Sequence, residues 1–230
     1  MPKDFKPFEE KIGVTFTNPE LLCQAFTHRS YLNEHRGEVR GHNERLEFLG
    51  DAVLELVSTY FLYKKFPDRP EGDLTAFRAA LVNAVTCAEV AGELGMNDYL
   101  LLSRGEAKDT GRARGVLLAN AFEALVGALY IDQGYGAAEQ FIHTFLLPKI
   151  DGIVQNRLWQ DAKSTLQEKA QEHDSATPYY TVLKEMGPDH DKHFLVGVYV
   201  KDVLLAEGEG KSKQEAEQTA ARGALEKKGW

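Results

Sequence analysis

Residues 43–55 read Asn43-Glu44-Arg45-Leu46-Glu47-Phe48-Leu49-Gly50-Asp51-Ala52-Val53-Leu54-Glu55. Wound at ~100° per residue, Glu44, Glu47 and Asp51 fall in a sector about 60° wide, and Leu46, Leu49, Val53 and Val57 lie opposite. The spacing predicts an amphipathic helix that runs to Tyr63 and stops at Phe66-Pro67. Three carboxylates stacked without interleaved lysines repel, by roughly a few tenths of a kcal/mol per pair. An ordinary solvated face usually alternates acids with bases. On spacing alone a solvated face and a site that gathers positive charge both remain open.

Outward from this helix, a 3.6-residue periodicity dominates the chain up to about residue 160. Asn18-Pro19-Glu20 opens a helix with Leu21, Leu22, Ala25 and Phe26 as its apolar stripe. A third pattern covers roughly Asp73 to Gly95, and a fourth, Gly115 to Ile131, is almost wholly apolar. A fifth runs from about Ala137 to Ile153. Five helical patterns without a strand predict an all-α domain. After a linker at 156–160 the periodicity changes. Lys163 to Glu172 reads as a short helix, followed by strand-like runs Tyr179–Met186, Phe194–Val200 and Val203–Glu209. Gly187-Pro188-Asp189 and Lys201-Asp202 are the turns between them, and an alanine-rich helix runs from Ser212 to Lys228. Residues 161–230 are thus predicted as a small α-β-β-β-α sandwich, making the chain multidomain.

Within Gly115–Ile131 the only strongly polar side chains are Asn120 and Glu123, three apart and on one face. A helix apolar nearly all round is buried. A buried carboxylate must be paired, protonated or metal-bound. Arg45 or Arg78 could pair with Glu123; alternatively, joined to the Glu47 and Asp51 face, it would suit a hard divalent cation such as Mg²⁺. Such a site activates water and stabilises charge on a phosphoryl group.

The 230 residues are 43% hydrophobic and 27% charged, the balance of a globular chain. No apolar run of about eighteen residues free of charge suggests a membrane span, and Met1–Glu10 does not resemble a secretory signal. Cys23 and Cys87 are too few for a disulfide framework or a structural zinc site, which points to reduced thiols in a cytoplasmic setting. The net charge of −8 is unusual for a nucleic-acid binder, although net charge does not locate charge.

The run His42-Asn43-Glu44-Arg45-Leu46-Glu47-Phe48-Leu49-Gly50-Asp51 closely resembles the signature of the ribonuclease III family. Thr27-His28-Arg29-Ser30-Tyr31, Glu71-Gly72-Asp73-Leu74 and Phe122-Glu123-Ala124-Leu125-Val126-Gly127-Ala128-Leu129-Tyr130 are similar to further segments of that family. The C-terminal unit resembles a double-stranded RNA-binding domain, so the resemblance spans the chain and is to the bacterial type. It implies a homodimeric endoribonuclease that cuts each strand of an RNA duplex with Mg²⁺ (or Mn²⁺), leaving 5′-phosphate and 3′-hydroxyl ends with short 3′ overhangs. It implies Glu47, Asn120 and Glu123 as metal ligands, Asp51 and Glu123 as catalytic groups, and Glu44 and Glu71 as supporting acids near the dimer-formed cleft. Its setting is cytoplasmic rRNA or mRNA processing or decay.

One departure bears on activity. The family usually has aspartate where this chain has Asn120, which keeps a coordinating oxygen and loses a charge. Asn120 is either a tolerated neutral ligand, the mark of a weak or inactive duplex-binding relative, or a deliberate substitution.

For RNA, the resemblance points to Gln167 and Glu168 on the first helix of the second unit, with Lys163, Gln167 and Ala170 expected on one face. His190 in the loop 187–191 and Lys211, Ser212 and Lys213 at the last helix complete the set. Amides and carboxylates suit 2′-hydroxyls, and a helix start with two lysines suits backbone phosphates. Taken singly, each could be an ordinary solvated surface residue. Residues 161–230 hold ten Lys/Arg against thirteen Asp/Glu, and Gln214 and Glu217 stand where the family often has basic residues. Affinity must then come from a few groups, with Arg104, Arg112 and Arg114 as additional candidates. The rival class of helical nucleotide phosphohydrolases typically uses histidine–aspartate pairs, and the seven histidines here show no such pattern.

Overall fold

The apolar stretch after residue 111 is the helix around which the first unit is built. The computed structural model describes residues 3–35, 37, 41–108, 111–159, 161–188 and 192–230, without the side chain of Arg112. Two compact units result, Met1–Trp159 and Gln160–Trp230, each with its own buried apolar cluster.

The first unit contains α1 (Lys6–Ile12), α2 (Pro19–Ala25), α3 (Arg29–Glu34), α4 (Glu44–Lys65), α5 (Glu71–Leu81), α6 (Ala84–Glu93), α7 (Arg112–Gln133), α8 (Tyr135–Phe145) and α9 (Lys149–Gln155). Helix α7 packs against α2, α4, α6 and α8. Its Ala121, Phe122, Ala124, Leu125, Val126 and Ala128 are wholly buried, as a helix apolar on most sides requires. By length and hydropathy α7 could cross a bilayer, but half of its apolar window is buried inside this unit.

Two predicted helices are each divided. The pattern from Asp73 to Gly95 is α5 and α6, bent by 45° at Asn83. The Asn83 side chain accepts the Thr86 amide at 2.9 Å and starts a new helix inside an apolar pattern that looks continuous. The pattern from Ala137 to Ile153 is α8 and α9, separated at Leu146–Pro148 because a proline cannot continue a helix but can begin one. Helices α1 and α3 are too short to show a periodicity. α1 is held by Phe8, whose ring meets Phe26 edge-on at 5.0 Å, and α3 is capped by the His28 ring, which accepts the Ser30 amide. Beyond α9, Asn156–Trp159 form a turn, and the Trp159 ring packs edge-on against Phe77 at 4.8 Å.

The second unit has α10 (Ala162–Asp174), β1 (Tyr179–Met186), β2 (His193–Val200), β3 (Val203–Gly210) and α11 (Lys213–Lys228). The strands form an antiparallel sheet in the order β1-β2-β3, with a bulge in each pairing. Lys201 and Asp202 turn the chain with φ of 50° and 62°, the left-handed pair a two-residue hairpin needs. Ala216, Ala220, Ala221 and Ala224 of α11 are buried with Leu166 and Ala170 of α10 and with Val198 and Val200 of β2. Small residues on α11 let the helix lie close to the sheet.

Candidate functional site

The acidic faces of α4 and α7 meet because the two helices cross almost backbone to backbone. A methyl group added to Gly50 would overlap the Glu123 carbonyl, and one added to Gly127 would overlap that of Leu46. No other residue fits at either crossing point. The crossing sets Glu47 and Asp51, one turn apart on α4, beside Glu123 on α7. Asn43, which precedes α4, is itself buried: its amide donates to the Thr27 carbonyl at 2.9 Å and its side chain to that of Ala25. The start of the acidic helix is thereby tied to α2.

Glu47, Asn120 and Glu123 are half-buried and Asp51 is exposed. Burial, then the Asp51 and Glu47 charges, push the Glu123 carboxyl up to about 7. Burial, then Glu44 and Asp51, raise Glu47 as well. Behind them the Cys87 thiol, buried and facing the same charges, is pushed up to about 12, so it stays protonated and inert. Neither arginine considered as a partner reaches Glu123: Arg78 bonds Thr59 Oγ1 at 2.9 Å, and among the described residues no cation pairs with Glu123. Glu44 alone has positive neighbours, Arg29 at 3.6 Å and His42 Nδ1 at 3.8 Å.

Glu71 stands apart. It begins α5, accepts the Thr75 hydroxyl at 2.9 Å and lines a cleft with Thr59, Leu62 and Tyr63 of α4. Thr59 is ~12 Å along the helix from Asp51 at 1.5 Å per residue. Within one protomer Glu71 therefore does not join Glu47, Asp51 and Glu123.

Among the described residues, no three histidine, cysteine, aspartate or glutamate side chains close around a single point. The donor set is nevertheless of hard oxygens, no cationic side chain among the described residues pairs with Glu47, Asp51 or Glu123, and the set suits a dication that keeps most of its water and needs one or two carboxylates.

The uncompensated charge has a thermal consequence. Glu123 is held near 7 in the fold against 4.5 ordinarily, so its neutral form is favoured there. The stability this contributes is complete below pH 4.5 and is lost as pH rises through about 7. In EDTA, Glu123→Gln should therefore raise the melting temperature at pH 8 and leave it nearly unchanged at pH 5. Discounted for partial exposure, the gain is on the order of 1 kcal/mol, about 2–4 °C. Equal shifts at both pH values would show that the carboxyl is not perturbed.

In the second unit, Asp161 caps α10 by accepting the Lys163 and Ser164 amides. Gln167 and Glu168 are exposed, but Ala170, at the edge of the sector it shares with Lys163 and Gln167, is fully buried and takes no part in the exposed surface. Leu166, Ala170 and Ala162 form the inward stripe. Ser212 caps α11 by accepting the Glu215 amide at 3.2 Å, while Glu215 accepts the Lys211 amide at 2.8 Å, a reciprocal capping box. Lys211 and Lys213 are exposed. His190 and the rest of 189–191 lie outside the described residues. Of the additional arginines, Arg114 donates to the Ala107 carbonyl at 3.0 Å, and the backbone amide of Arg104 donates to Glu34.

The family model described as Ribonuclease-III-like matches residues 18–150, and the double-stranded RNA binding motif matches residues 162–228. Proteins named Ribonuclease 3 from Bacillus cereus and Bacillus licheniformis are each 48% identical to this chain, over 223 and 225 residues. The first alignment covers 97% of this chain and 91% of the relative, the second 98% and 90%. The crystal structure of the ribonuclease III nuclease domain from Campylobacter jejuni superposes with a TM-score of 0.57 at 35% identity, covering 64% of this chain and 96% of that one. The family models and these relatives together cover nearly the whole chain, which belongs to the ribonuclease III family.

Proposed function

We propose that this chain is a cytoplasmic endoribonuclease that hydrolyses double-stranded RNA with Mg²⁺, Mn²⁺ being able to substitute. Its products carry 5′-phosphate and 3′-hydroxyl ends with short 3′ overhangs, and its work is rRNA or mRNA processing or decay. Residues 1–155 form the nuclease domain, 156–160 the linker and 161–230 the RNA-binding domain. The observation that carries this reading is the approach of Glu47 and Asp51 to Glu123, near enough for their charges to raise its carboxyl and with no pairing cation among the described residues, in a chain with a double-stranded RNA binding motif.

Glu47, Glu123 and the Asn120 amide oxygen would hold the metal, which when bound supplies an activated water and neutralises charge on the phosphate. Asp51, exposed beside the two half-buried acids, is open to water and orients the attack on phosphorus; Glu123 is its catalytic partner. Glu44 supports the site from the rim, and Glu71 does so only across the cleft that a dimer forms. In the second unit Gln167, Glu168 and His190 meet 2′-hydroxyls in the minor groove, and Lys211, Ser212 and Lys213 meet phosphates.

A homodimer fits the outer side of α4. Phe48, Leu56, Tyr60 and Tyr63 are 81%, 59%, 53% and 65% exposed. They span a sector about 120° wide, next to the acidic one. Large apolar side chains clustered in this way mark an interaction surface. A second protomer covering them would stand beside the acids and wall a cleft.

The test is incubation of the chain with a long RNA duplex, a single strand and a nucleotide across a Mg²⁺ series, beside Asn120→Asp. Only the duplex should be cut, and Asn120→Asp should need several-fold less Mg²⁺ because it restores a ligand charge. Absence of cutting by the native chain at every Mg²⁺ concentration would favour a duplex-binding relative without nuclease activity, the reading the neutral Asn120 supports.

A further inference from the structure

Of the lysines assigned to RNA phosphates, Lys213 is already engaged within the chain. Lys213 Nζ lies 3.1 Å from Glu185 Oε1 on β1 and 5.6 Å from the centre of the Phe194 ring on β2. Glu185 and Phe194 are register partners at the end of the sheet, so both hold the ammonium from the same side. Lys163 is held alike, 2.5 Å from Glu217 on α11 and 4.9 Å from the centre of the Tyr180 ring. Each cation has an aromatic face beneath it and a carboxylate beside it.

We propose that Glu185 is an internal competitor of the RNA phosphates and lowers the affinity of this module, an inference that rests on Lys213 being a phosphate contact. To meet a phosphate, Lys213 must leave Glu185. The abandoned carboxylate then faces the incoming anion two residues before the loop that begins at Gly187. Both effects weaken binding, and both are electrostatic, so both fade with added salt. Competition therefore flattens the salt dependence that phosphate contacts normally give. A weakened, less salt-sensitive grip lets a duplex be released after it is cut.

Exposed pairs of this kind are worth about 0.2–1 kcal/mol, which sets the scale at up to about fivefold in affinity for Glu185. The experiment is fluorescence anisotropy of the full chain with an RNA duplex in EDTA, where no cleavage occurs, at low and high salt. Glu185→Gln should bind about three- to fivefold more tightly at low salt, with a steeper salt slope. Glu93→Gln, which breaks the 2.5 Å pair with Lys149 in the nuclease unit and removes the same charge, should leave affinity unchanged. Lys213→Gln should weaken binding, and adding Glu185→Gln to it should restore nothing. If Lys213→Gln binds normally, the phosphate contact is wrong and the competition falls with it. If Lys213→Gln weakens binding but Glu185→Gln does not tighten it, the contact stands and the competition alone is overturned. A gain from Glu185→Gln that persists in the Lys213→Gln background also overturns it, since the glutamate would then act by general repulsion.

Discussion

Asp51→Asn is expected to slow single-turnover cleavage of an RNA duplex about a thousandfold, about 4 kcal/mol of barrier. The substitution keeps the shape of the side chain and its exposed position on α4, and so leaves the fold in place. It removes the charge proposed to take part in hydrolysis and, with it, one of the two charges that raise Glu123. Duplex binding measured in EDTA should be unchanged or slightly tighter, because one repulsive carboxylate is gone. A loss of cleavage without a loss of binding is what separates a chemical role from a structural one. Cleavage within tenfold of the native rate would remove Asp51 from the catalytic account.

Gly50→Ala is expected to destabilise the nuclease unit by about 3 kcal/mol or more, and Gly127→Ala similarly. The added methyl meets backbone atoms of the facing helix, which cannot rotate away as a side chain could. The helices must part, and the cavities opened along α7 add to the cost. The two substitutions should be less than additive when combined, since one separation of α4 from α7 relieves both. Gly92→Ala makes the comparison: nothing lies within 4 Å of a methyl there, and it sits inside α6. It should be neutral or stabilising by about 0.5–1 kcal/mol, as alanine is the better helix former. Urea unfolding of the three variants decides the matter, and a Gly50→Ala as stable as Gly92→Ala would mean the helices do not meet so closely. Because the same crossing gathers the acids, Gly50→Ala should also lose cleavage in whatever fraction remains folded.

The residues that were readable in the sequence are those whose reason is local. Glu44, Glu47 and Asp51 share a face by spacing alone, and Ser212 and Asn18 cap the helices that follow them as their side chains predict. Lys201-Asp202 turns the chain where two apolar runs almost touch. What escaped depends on distant parts of the chain. Asn83 sits in an apolar pattern that continues past it, so its capping bond looks like a solvent-facing polar residue until α5 and α6 are seen to bend. The site itself is half legible: two acidic stretches can be found, but their meeting depends on Gly50 and Gly127, and a glycine does not announce its partner. Ala170 shares a sector with Lys163 and Gln167 by spacing, and only the packing of α10 against α11 shows that it faces inward. Glu71 illustrates the opposite limit, a residue whose role implied by family resemblance is not reproduced inside a single protomer.

Helix α7 is the shared wall of α2, α4, α6 and α8, yet three of those four precede it in the chain. During synthesis the first hundred or so residues leave the ribosome with no surface against which to close. Until Glu123 and its neighbours emerge, the acids of α4 have no counterpart, so a truncated nascent chain carries no nuclease activity. Any stall or early stop before residue 133 leaves apolar helices uncovered, a natural target for chaperones and proteases.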